Sequence, residues 1–263
     1  MAYDNYKTLR FDYQDRILTI TIDNGSMNAV DFDLHEELAR VWPEVQRDEA
    51  CDLVVLTGAG RAFCAGGDMD WFQRMIDEPA EFRGILPDAK SIVFGLLELE
   101  KPIICRLNGA AAGLGASIAL LCDVIIADER ARIGDPHVKV GLVAGDGGAV
   151  IWPQLIGFAR AKEFLLTGDM VTAADAVTMG LINYAVPTAQ LDDKVAEMAA
   201  KILGNPRWAV RWTKVATNLT LRNIAHQVMD PALAYEAMSN QLADRQEAVT
   251  AFVEKRAPKY GGN

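Results

Sequence analysis

Short runs rich in valine, isoleucine and leucine at 16–23, 52–57, 102–107 and 124–127 alternate with helical patterns, and this alternation constrains the fold most. A strand that returns to its sheet after a helix needs a crossover, so the order predicts βαβ units and a largely parallel sheet of an α/β protein. Residues 33–46 carry Leu34, Leu38, Val41 and Val45 at helical spacing, with Pro43 as a candidate kink. A second amphipathic helix is expected over 90–99, and the small apolar residues of 116–122 predict a helix buried all round. After Pro187 the β signal ends, and helices are expected at about 188–203, 206–218, 222–240 and 242–255. The chain thus divides into a core domain over 1–187 and a helical C-terminal region over 188–263 that packs on the core or on another subunit.

The net charge of −10 repels a polyanionic backbone, which argues against nucleic acid as a partner. The N-terminus has neither a signal-peptide apolar stretch nor a transit-peptide bias, and no apolar run is long enough for a bilayer, so a cytoplasmic protein with no membrane partner is expected. Cys51, Cys64, Cys105 and Cys122 form no CxxC pair, and His35, His137 and His226 lie far apart. The cysteines read as reduced fillers of the core, and no metal site is expected.

Two segments that follow strands are dense in glycine and alanine: GAGRAFCAGGD at 58–68 and NGAAAGLGA at 108–116. Glycine allows close backbone approach and unusual dihedrals, so N–H groups at such turns can point into a site and form an oxyanion hole. Each loop taken alone is also compatible with an ordinary turn and helix cap. Neither contains GxGxxG or GxxxxGK[ST], so dinucleotide and P-loop readings lack support.

GRAFCAGGDM at 60–69, the stretch KPIICRLNGAAAGLGASIALLCDVIIA at 101–127, LTGDMVTAADAVTMGLIN at 166–183 and AFVEKRAPKY at 251–260 together resemble the crotonase (enoyl-CoA hydratase/isomerase) superfamily. The resemblance implies a spiral core of βαβ units, a helical C-terminal trimerisation region, and a homotrimer or a hexamer made of two trimers. It implies an acyl-CoA substrate, with coenzyme A arriving as part of that substrate and no tightly bound cofactor. It places the oxyanion donors at the N–H groups of Ala65 and Leu114, beside Gly113, and lays Ala65, Gly66, Gly67 and Asp68 along the coenzyme A cleft. Lys255 matches a basic residue that reaches the nucleotide phosphates from a neighbouring subunit; read without the resemblance, it is a solvated cation at a helix end.

Hydration of an enoyl thioester needs one group to deprotonate water and another to protonate carbon, and hydratases of the family supply two glutamates. By the resemblance, those positions hold Ser117 and His137 here. A serine in an apolar helix usually bonds a carbonyl one turn back, so contact with substrate is the less ordinary reading of Ser117. His137 can exchange a proton near neutral pH, and Asp146 follows nine residues later in a glycine-rich turn. The expectation is a His–Asp base in which Asp146 accepts from one ring nitrogen and the other faces the oxyanion hole. This PH…GDG pattern resembles the β-diketone hydrolase branch, represented by 6-oxocamphor hydrolase, which cleaves a C–C bond by retro-Claisen chemistry. The ordinary alternatives are a structural histidine and an Asp146 that caps the next helix. Asp68 is likewise either a cleft residue or a cap, Cys64 a filler, and Trp71 and Phe72 candidate acyl-pocket walls. Three functions stay open: a hydratase/isomerase-type acyl-CoA enzyme, a His–Asp hydrolase of β-dicarbonyl compounds, and an inert acyl-CoA-binding protein.

Overall fold

A computed structural model describes residues 3–262. The order is β1 (Leu9–Gln14), β2 (Ile17–Ile22), α1 (Phe32–Arg47), β3 (Leu53–Gly58), β4 (Ala62–Cys64), α2 (Met69–Asp77), α3 (Pro79–Glu98), β5 (Ile103–Leu107), β6 (Ala110–Ala112) and α4 (Leu114–Leu120). Then come β7 (Val124–Asp128), β8 (Arg132–Gly134), α5 (Gly148–Thr167), β9 (Met170–Thr172), α6 (Ala173–Thr178), β10 (Tyr184–Val186), α7 (Leu191–Leu203), α8 (Arg207–Ser239) and α9 (Ala243–Val253).

The six-stranded sheet runs β1-β2-β3-β5-β7-β10, parallel except for the β1–β2 hairpin. A four-stranded sheet, β4-β6-β8-β9, takes up the chain after β3, β5 and β7, so each turn of the spiral leaves a strand in both sheets. Every residue of β3 is buried, as a strand covered on both faces requires. On one side Leu38, Trp42, Ile92 and Ile118 fill the main core; on the other, Leu191, Val195 and Ala199 of α7 cover Leu53, Ile104 and Ile126.

The expected parallel α/β core is present, and β2, β3, β5 and β7 fall on the four apolar runs. Helix α1 continues through Pro43 as one 16-residue element. The helices expected at 206–218 and 222–240 are a single 33-residue α8, because Leu219, Thr220 and Leu221 between them stay helical, with no glycine or proline to break the turn. A helix is expected to follow Asp146, but the 20-residue extent of α5 and the three-residue strands escaped the periodicity reading. Strands that short hold too little alternation, and α5 breaks its own period at Gly157, where φ is 76°. Ala225, Met229 and Leu233 of α8 and Val249 of α9 join the main core, which carries the C-terminal helices against the ends of α2, α3 and α5.

Candidate active site

The two glycine loops lead from the large sheet into the small one and then into helices, which brings their far ends together. Leu114 is the first residue of α4, so its N–H has no intrahelical acceptor. Gly113 before it has φ 54°, and a Cβ there would press on His137 Cε1 at 3.2 Å. Glycine is required at this position for both reasons.

The second expected donor is already committed. Ala65 N–H donates to the carbonyl of Met27 at 3.1 Å. The expectation that the Ala65 and Leu114 amides converge free on one point is therefore corrected to one free donor, Leu114, and one amide held by the preceding loop. The acceptor lies 38 residues upstream and is placed by Asn28, whose amide donates to the carbonyls of Ala59, Ala62 and Phe63.

His137 lies buried in a short 3-10 turn after β8. Its Nε2 stands 3.2 Å from Asp146 Oδ2, so the expected His–Asp contact is formed. Its Nδ1, expected to face the oxyanion hole, is hydrogen-bonded to Asp135 Oδ1 instead. Asp135 is two residues earlier, and its carboxylate also meets the His137 amide at 3.4 Å, a local turn that fixes the ring edge. Burial disfavours the imidazolium, but Asp146 and Asp135 together outweigh it and hold the ring well above its ordinary pKa. With Nδ1 on Asp135 and Nε2 on Asp146, both ring nitrogens are engaged. Asp135, His137 and Asp146 offer ligand atoms within 4.8 Å of one another, but the two ring nitrogens address different carboxylates, a chain of hydrogen bonds rather than a common centre.

Asp146 does not cap α5: Gly147 holds the cap position without a side-chain bond. Asp146 Oδ1 instead receives the hydroxyl of Ser117 at 3.5 Å, so Ser117 faces the site rather than bonding a carbonyl one turn back. Two further groups, not anticipated from sequence, border the same space. Glu236 of α8 is buried, and burial together with the charge of Asp146 pushes its carboxyl up to about 8, so it is largely neutral at pH 7. His35 of α1 is buried near Trp71, its Nδ1 lacks a hydrogen bond, and burial lowers it to about 4. A signal for Glu236 was available: it continues the apolar stripe Ala225, Met229, Leu233 at helical spacing, where a carboxylate is costly.

Two cavities meet here. The inner one, about 50 Å³, is lined by Trp71, Phe72, Met75, Phe82, Ile85 and Leu233, with Leu114, His137, Asp146, Glu236 and His35 as its polar border. The outer one, about 520 Å³, runs past Ala65, Gly66, Gly67, Asp68, Gly113, His137 and Phe252. Gly67, Phe72 and His137 line both and form the partition. Asp68 caps α2, its side chain accepting from Trp71 N–H at 3.0 Å, and also lines the outer cavity. Lys255 lies exposed just beyond α9, three residues after Phe252 at the cavity wall. All four cysteines are free and buried, and burial pushes the Cys64 thiol up to about 12, consistent with a filler.

The enoyl-CoA hydratase/isomerase family model matches residues 12–263. The chain is 33% identical over 251 residues to a 1,2-epoxyphenylacetyl-CoA isomerase of Escherichia coli, covering 94% of this chain and 95% of that protein. Among solved structures, an enoyl-CoA hydratase/isomerase from Mycobacterium paratuberculosis superposes with a TM-score of 0.90 at 36% identity, over 94% of this chain and 99% of that one. A beta-diketone hydrolase from the cyanobacterium Anabaena sp., bound to (S)-3-oxocyclohexyl acetic acid, superposes with a TM-score of 0.85 at 28% identity, over 91% of this chain and 96% of that one. A family match over nearly the whole length, on a fold whose paired glycine loops meet at one cleft, makes this chain a member of the enoyl-CoA hydratase/isomerase (crotonase) superfamily.

Proposed function

We propose that the protein is an acyl-CoA enzyme that forms an enolate, with the Leu114 N–H holding the developing oxyanion and Asp146 moving the proton. The observation that carries this reading is the position of Asp146: its carboxylate borders the inner cavity with Leu114, oriented by His137 Nε2 and by the Ser117 hydroxyl. The thioester spans the partition, its acyl group in the inner cavity and the coenzyme A in the outer one, with Lys255 at the phosphates.

With Ser117 and His137 standing where hydratases carry glutamates, one carboxylate can still shift a proton. Asp146 takes it from the α-carbon, the negative charge moves to the thioester oxygen, and the same group returns the proton to another carbon. Such a transfer leaves the atom count unchanged, as in an isomerase, and the likeness to an acyl-CoA isomerase supports it. A second reading, retro-Claisen cleavage of a β-dicarbonyl compound, is favoured by the His137–Asp146 contact and by the likeness to a beta-diketone hydrolase. The helical region 188–263 is proposed as the trimer contact, and the cytoplasm as the compartment.

The test is a panel of 3-enoyl-CoA, 2-enoyl-CoA and cyclic β-diketone substrates, assayed for double-bond shift, hydration, C–C cleavage and thioester hydrolysis. On the substrate that turns over, Asp146→Asn should lower kcat about 10²–10⁴-fold with a small change in KM. Full activity of Asp146→Asn removes the assignment, and binding of acyl-CoA without turnover of any substrate identifies an inert binding protein.

A further inference from the structure

A third cavity, about 730 Å³, shares no lining residue with the two at the active site. It lies at the carboxyl ends of β3, β5 and β7, the end of a parallel sheet where α/β proteins hold ligands. Four arginines line it: Arg61, Arg106, Arg130 and Arg132.

Two of these are matched within the chain. Arg106 Nε donates to Asp192 at 2.6 Å, and Arg130 grips Asp128 with Nε and NH2 at 3.1 and 3.0 Å. Arg61 and Arg132 are exposed and make no ion pair with any described residue. The basin therefore holds two guanidiniums in excess of its carboxylates, on a chain whose net charge is −10. Like charges gathered in one concavity repel, and a bound anion relieves that repulsion. A guanidinium presents a planar fork that matches a phosphate with two parallel N–H bonds, and the volume falls in the range of small-molecule sites. Arg61 and Ala65 lie at opposite ends of β4, so an occupant here is separate from anything in the outer cleft.

We propose that this basin is a second binding site, for a small molecule bearing a diphosphate or two adjacent phosphate groups, held by Arg61 and Arg132.

The test is calorimetric titration of the full chain in its native assembly with inorganic pyrophosphate, at fixed ionic strength and with acetate as the monovalent control. The expected result is saturable binding at one site per chain, weakened about tenfold by Arg61→Gln and by Arg132→Gln. Arg132→Lys, which keeps the charge but loses the fork, should fall between the wild type and Arg132→Gln. Lys255→Gln should leave pyrophosphate binding unchanged. Absence of saturable binding in the millimolar range overturns the proposal, as does binding that both arginine variants retain in full. Binding abolished by Lys255→Gln places the anion in the outer cleft and overturns it too. A changed assembly mass in the arginine variants, without binding in the wild type, means that the arginines face a neighbouring copy, again against the proposal.

Discussion

Gly67→Ala addresses the partition between the inner and outer cavities. Gly67 is not in the left-handed region, so only space decides the effect. A Cβ at this position would overlap Phe72 Cζ and Cε1 and come within 3.0 Å of Cε2. The ring cannot simply recede, because the guanidinium carbon of Arg245 lies 4.3 Å from its centroid on α9. Arg245 is itself fully buried and anchored to the Val140 carbonyl at 2.6 Å. Overpacking of this kind costs about 1–3 kcal/mol. Displacing the ring from Arg245 forfeits a further cation–π contribution of about 0.5–2 kcal/mol. The inner cavity has room for about three to five water-sized groups, so a displaced ring takes most of that space. Chemical denaturation should show a loss of about 2–4 kcal/mol, and kcat/KM should fall most for the longest accepted acyl group. Gly67→Ala/Phe72→Leu should recover much of both. Wild-type stability together with an unchanged acyl-length profile in Gly67→Ala would refute the partition.

His35 makes stability depend on acid: its folded pKa of about 4 lies below the ordinary 6.5, so the unfolded chain takes up a proton that the native pocket refuses. The stability it contributes is present above pH 6.5 and lost as pH falls through 4, up to about 3 kcal/mol, and urea midpoints of His35→Leu should show a smaller decline over that window. Trp208 and Trp212, with ring centroids 5.4 Å apart, are 51% and 61% exposed on α8, and Leu219 is 53% exposed. If this face forms the trimer contact, light scattering should give three or six times the 28.7 kDa chain mass, and Trp212→Glu should reduce it; a monomeric wild type contradicts the assembly.

The sequence by itself determined the features that live in short windows. Apolar runs marked β2, β3, β5 and β7, because buried parallel strands need continuous apolar residues, and 3.6-residue spacing marked α1 and the helical end of the chain. The His137–Asp146 contact was legible because nine residues around a glycine turn return the chain on itself. Asp135 was in plain view two residues before His137, yet its claim on Nδ1 depends on the ring rotamer that the 3-10 turn imposes. Only the tertiary structure decided the rest. The acceptor of the Ala65 amide lies 38 residues upstream, and Glu236 reaches the site from a helix ninety residues beyond Asp146. A lone glutamate on a helix and a lone histidine on another carry no sign of meeting. The packing of α8 and α1 around the inner cavity brings them there and desolvates them, and burial is what gives Glu236 a proton near neutrality and denies one to His35.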